Sequence, residues 1–134
     1  MAVKEKAPSP EHPMLVGHLI NWISKEFEIE CANCDDYEAC TIVNEYIPDV
    51  EGYRKDMELR CFGEAKTADD IDNEHAKAQF KEFGGRIMSS GKSKNVACPF
   101  CIGVPKGSEA ILQKVLKELR LLDKPNVKWQ AFAV

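Results

Sequence analysis

Three residue types at one spacing make the sequence chemically interesting. Asp49 follows a proline, and Glu64 and Lys66 lie fourteen intervening residues further on, two positions apart. If residues 57–66 form a strand, Glu64 and Lys66 leave the same face, roughly 7 Å apart. If that strand pairs with the segment before it about a turn at residues 51–54, Asp49 comes within reach of Glu64. Two carboxylates so placed repel unless a cation lies between them. Oxygen donors with water completing the shell suit Mg²⁺ or Mn²⁺. Such an ion would stabilise charge on a phosphodiester, with the lysine ammonium orienting a water or neutralising the phosphate. Asp56 is the rival for Asp49, because a tighter hairpin would bring it beside Glu64 instead.

The elements that must position these groups can be read from periodicity. Leu15, Leu19, Trp22 and Ile23 recur at helical spacing within 14–27, which predicts an amphipathic helix. Phe27, Ile29 and Cys31 alternate with glutamates as a short strand. Residues 41–50 are β-rich, 51–54 read as a turn, and 57–66 alternate again. Residues 69–88 predict a helix with Ala76, Phe80, Phe83 and Ile87 on its apolar face. A strand over 96–104 contains Pro99, so its paired part should begin near Phe100. Ser108 opens a helix with Ile111, Val115, Leu119 and Leu122 as its core face, and 127–134 close the chain as a strand. The order αβββαβαβ implies an α/β protein: a mixed sheet of about five strands with helices on both faces.

Here the residues carry a resemblance. Pro48-Asp49 followed by Glu64-Ala65-Lys66 within CFGEAKTADD resembles the PD-(D/E)xK nuclease superfamily, and the element order matches its core. The resemblance covers roughly residues 14–134. It implies a restriction-endonuclease-like fold and Mg²⁺- or Mn²⁺-dependent hydrolysis of DNA, with Asp49 and Glu64 binding metal and Lys66 positioning the attacking water. It also implies an acidic ligand on the first helix, for which Glu26 is the candidate. In the branch resembling RecB-type nucleases a glutamine on the following helix supports the site, with an aromatic four residues later. Gln79 and Phe83 match that spacing, and His75 lies one turn earlier.

Six cysteines occur in 134 residues. The polar, proline-rich start lacks the apolar stretch of a secretory signal, so the chain is expected to be cytoplasmic and its thiols reduced. Cys31, Cys34, Cys98 and Cys101 form two CxxC pairs with 63 residues between them, a spacing open to structural Zn²⁺, an iron–sulfur cluster or buried free thiols. A zinc deaminase would need His-x-Glu before Pro-Cys-x-x-Cys. His75-Ala76-Lys77 lacks that glutamate, and Ala97 stands where the proline belongs. A nuclease-like module that binds nucleic acid or protein without cutting is the non-enzymatic alternative.

Length and composition bound the rest. The chain has room for one domain, expected over 12–134 after a flexible arm at 1–11, and no apolar run approaches membrane-helix length. Hydrophobic residues make up 44%, which excludes wholesale disorder. The net charge of −4 hides an asymmetry: residues 1–80 carry 8 Lys/Arg against 18 Asp/Glu, and residues 81–134 carry 10 against 4. DNA would therefore be held through the basic half, with Lys92 and Lys94 of the SSGKSK loop as candidate contacts. With no separate reading domain, target choice would come from DNA structure, a partner or a homodimer.

Overall fold

A computed structural model describes residues 10–34, 40, 43 and 45–134. Most of the expected arm, and part of the β-rich segment at 41–50, therefore lie outside the described residues. The elements are α1 (Glu11–Phe27), β1 (Glu30–Asn33), β2 (Val50–Arg54), β3 (Leu59–Ala65), a 3₁₀ turn (Ala68–Asp70), α2 (Glu74–Gly84), β4 (Phe100–Pro105), α3 (Glu109–Glu118) and β5 (Val127–Phe132). The chain is an α/β protein with one mixed five-stranded sheet, in the element order that periodicity predicts.

The strands lie side by side in chain order, β1-β2-β3-β4-β5. β1, β2 and β3 are antiparallel neighbours, while β3, β4 and β5 run parallel. Helices cover both faces. Leu15, Val16, Leu19 and Ile23 of α1 pack with Val50, Ala65 and Cys101 on one side. On the other, Ala76, Phe80 and Phe83 of α2 and Leu112, Val115 and Leu116 of α3 pack with Phe62, Phe100 and Ile102. β3 is buried almost throughout, so it is the natural element to hold charged groups in a fixed place.

Several boundaries differ from the sequence reading, each for a physical reason. α1 begins at Glu11 rather than Met14, despite Pro10 and Pro13, because a proline in the first turn forfeits no intrahelical hydrogen bond. The predicted turn at 51–54 is instead β2. Gly52 reads as a turn residue, yet a Cβ there would lie 3.1 Å from Cys31 Sγ and 2.8 Å from Ile29 Cδ1. The glycine is there to let two neighbours cross the strand. The real turn occupies Lys55–Glu58, where Glu58 adopts a φ of 49°. α2 stops at Gly84-Gly85, leaving Ile87 53% exposed beyond its end. Asn73 caps it, its side chain accepting from the Ala76 amide at 2.8 Å. On α3 the core face is Leu112, Val115 and Leu116, and Ile111 points outward. Pairing in β4 does begin at Phe100, directly after Pro99.

The sheet also buries thiols. Cys61 and Cys101 are almost fully enclosed, and burial pushes each thiol up to about 12. The unfolded chain would release these two protons near pH 9, while the folded chain keeps them to about 12. Stability should therefore fall as pH rises through that window, by up to about 1.4 kcal/mol per pH unit for each thiol. Urea unfolding of wild type beside Cys61→Ala/Cys101→Ala isolates this contribution from other titrating groups. Parallel pH profiles for the two proteins would contradict the burial.

Candidate active site

The site is built where the start of β2 meets the end of β3. Val50 is the register partner of Gly63, so extending the antiparallel ladder by one residue places Asp49 opposite Glu64. Two reciprocal hydrogen bonds fix that pair. The Asp49 amide donates to Glu64 Oε1 at 3.0 Å, and the Ala65 amide donates to Asp49 Oδ2 at 2.9 Å. Each carboxylate is thus held by the backbone of the other strand.

Lys66 follows immediately. Its amide donates to Gly103 O at 3.0 Å, tying it to β4. Its Nζ lies 3.4 Å from Glu64 Oε2 and donates to Gln79 Oε1 on α2. Asp49, Glu64, Lys66 and Gln79 are each only 2–3% exposed. Both side chains of the ExK pair are enclosed rather than open to solvent, and α2 reaches them through Gln79, which accepts from Lys66. An ion pair at this depth has surrendered its hydration, so its partners depend on one another.

The residues assigned from sequence divide clearly. Asp49, Glu64, Lys66 and Gln79 come together. Asp56 does not: it lies exposed in the β2–β3 turn, bonded to Arg54 at 3.0 Å, at the other end of the hairpin. Glu26 is also remote from Asp49. It occupies the last turn of α1, exposed, 3.5 Å from Lys128 Nζ on β5. The contribution of α1 comes from its opposite end, where His12 Nε2 lies 3.2 Å from Asp49 Oδ2. Fourteen residues of helix, about 21 Å, separate the two positions. His75 is half-buried on α2, its ring edge-on to Tyr46 at 5.8 Å. His12 was missed because Glu-His-Pro reads as part of a proline-rich arm; a histidine in the first turn of a helix was the available signal.

The cysteines are arranged differently from either pairing in the sequence. Cys34 is joined to Cys40 in a disulfide, whereas Cys31, Cys61, Cys98 and Cys101 are free thiols. The expectation of reduced thiols throughout is thereby corrected: Cys34 and Cys40, six apart in sequence, have Cα atoms 5.7 Å apart, within bonding reach. The proposed quartet Cys31, Cys34, Cys98 and Cys101 does not assemble. Among the described residues, the one group of three or more His, Cys, Asp or Glu donors within 4.8 Å of one another is Cys34, Cys40 and Glu51. Cys101 packs with α1, and Cys98 belongs to the core on the opposite face. The trio His75, Cys98 and Cys101 needed by a deaminase does not gather either.

The candidate DNA-binding loop lies away from the carboxylates. Lys92 Nζ is 3.4 Å from Asp56 O, and Ser93 Oγ donates to Met57 O, so the loop docks on the β2–β3 turn. Five residues of strand, about 17 Å, run from there to Glu64. Lys106, just beyond β4, is at the same end of the sheet as Glu64. No described helix is long and apolar enough to cross a membrane. The chain matches no protein-family model, no curated protein and no solved structure.

Proposed function

We propose that the chain is a metal-dependent nuclease of the PD-(D/E)xK type, with a restriction-endonuclease-like core, that hydrolyses phosphodiester bonds in DNA. The reciprocal bonding of Asp49 and Glu64, with Lys66 against Glu64, is the observation that carries this reading. It holds two acids and a base together at the end of a central strand, at a cost in desolvation that packing alone does not require.

The two carboxylates of Asp49 and Glu64, held together by their reciprocal hydrogen bonds, are of the donor type that suits Mg²⁺ or Mn²⁺. Asp49 and Glu64 would hold the ion, which supplies charge stabilisation at the phosphate and a more acidic water. The chain's own residues do the rest. Lys66 offers an ammonium to orient the water or the phosphate oxygen, and Gln79 fixes that ammonium through its carbonyl oxygen. Asp49 is anchored by the Ala65 amide, which donates to its Oδ2.

Burial of all four side chains favours a second reading, a charged lock within a module that binds without cutting. One experiment separates the two. Supercoiled and linear DNA are incubated with protein and Mg²⁺ or Mn²⁺, and Mn²⁺ binding is measured by calorimetry on wild type and Asp49→Asn. Nicking with Mn²⁺, and loss of both cleavage and binding heat in Asp49→Asn, supports the nuclease. Absence of both in wild type leaves the binding module.

For DNA engagement, Lys92→Glu with Lys94→Glu should weaken binding and lower the log–log salt slope by about 1.8 on duplex DNA, at about 0.9 per phosphate contact. Turnover at saturating DNA should hold, since the loop sits at the far end of the hairpin from Glu64. An unchanged slope in a salt titration would move the DNA to another face, with Lys106, just beyond β4 at the Glu64 end of the sheet, as the next candidate contact.

A further inference from the structure

We propose that Cys34, Cys40 and Glu51 form a second metal site, one that takes up Zn²⁺ once the Cys34–Cys40 disulfide is reduced. The two sulfurs and a Glu51 carboxylate oxygen lie within 4.8 Å of one another. A tetrahedral zinc with Zn–S bonds near 2.3 Å needs sulfurs about 3.8 Å apart. Breaking the disulfide and letting the sulfurs separate brings all three donors to that geometry with small movements.

The surroundings suit the ion. Cys34 is buried and Cys40 and Glu51 are half-buried, so the donors are partly shielded from competing water. Arg60 Nη1 lies 3.7 Å from Glu51 Oε1. Zn²⁺ and Arg60 together balance the three negative charges of two thiolates and a carboxylate. A cavity of about 450 Å³ has Cys40 and Glu51 in its wall, which gives a reductant and an ion a way in and leaves the fourth position to water.

The chemistry balances with a dithiol as reductant. It passes two electrons and two protons to Cys34 and Cys40 and leaves as its own disulfide. Zinc binding then displaces the two thiol protons to solvent. The site stands apart from the nuclease reading but touches its frame. The Cys34 amide donates to Asp49 O at 2.9 Å, so one of the two sulfur donors belongs to a residue one hydrogen bond from the Asp49 backbone.

The test uses the full chain in both redox states. Oxidised protein should show four reactive thiols on unfolding and reduced protein six. Co²⁺ serves as the spectroscopic probe and Zn²⁺ as the competitor. Reduced wild type should develop a thiolate-to-cobalt charge-transfer band that saturates at one equivalent and is abolished by Zn²⁺; oxidised wild type should develop none. Glu51→Gln should weaken Co²⁺ binding at least tenfold, and Cys98→Ser with Cys101→Ser should leave the band intact. A band of equal strength in both redox states, no band in the reduced protein, or one that persists in Cys34→Ser/Cys40→Ser would overturn the proposal. Because the central comparison uses one sequence in two redox states, it does not depend on any variant folding.

Discussion

Lys66→Ala is expected to lose DNA cleavage by at least about 100-fold and to lose about 3–5 kcal/mol of stability as well. The second effect follows from burial. Glu64 is 2% exposed and its Oε2 lies 3.4 Å from the Lys66 ammonium, so truncation takes a cationic partner from a carboxylate that solvent does not reach. An exposed strand lysine would cost almost nothing. Saturating Mn²⁺ should return part of the lost stability, because an ion bound only by the folded chain stabilises it by mass action. Glu64→Gln is the complementary variant. It keeps an oxygen to accept from the Asp49 amide, removes the charge, and should end cleavage with a smaller loss of stability. Thermal and urea unfolding with and without Mn²⁺, beside a plasmid-nicking assay, reads all of this. Wild-type nicking by Lys66→Ala would remove the lysine from the mechanism, and a change below about 0.5 kcal/mol would contradict the buried pair.

The second large effect concerns how α1 is seated. A Cβ on Gly103 of β4 would lie 2.9 Å from Leu19 Cγ and 3.2 Å from Phe132 Cε2. The leucine atom is a branch point close to the helix, so the clash is not relieved by swinging a flexible tip. Gly103→Ala should therefore push α1 outward and cost about 1–3 kcal/mol. His12 rides on the same helix, so the contact with Asp49 should loosen with it. If His12 helps to hold the ion, Mn²⁺ affinity should fall in Gly103→Ala although no ligand has changed. A variant that keeps wild-type stability would show that the helix has slack against the sheet.

The periodic elements were legible because their burial is one-sided. Alternation marked β3, and the 3.6-residue stripe marked α1 and α2, since each has one face turned to a core. The site was legible for a related reason: two residues apart on a strand share a face, which put Glu64 and Lys66 together before any fold was known. What resisted reading depends on contacts between distant segments. Gly52 looked like a turn because its bareness serves Cys31 and Ile29, which lie some twenty residues earlier. The first helix was expected to contribute through Glu26, yet its direction across the sheet turns that end toward Lys128 and brings His12 to Asp49. Enclosure by α2 was equally invisible, since nothing local tells a strand residue that a glutamine will close over it.

The chain-order arrangement of the sheet has a consequence during synthesis. His12, Asp49, Glu64 and Lys66 all belong to the first 66 residues, while β4, which completes the hydrogen bonding of β3, begins at Phe100. A growing chain emerges from the ribosome from its N-terminus. The antiparallel hairpin and its acids can thus assemble while one edge of β3 still lacks its neighbour. At that stage β3 is an open edge presenting unpaired amides and carbonyls. The interval closes only when some forty further residues have been translated.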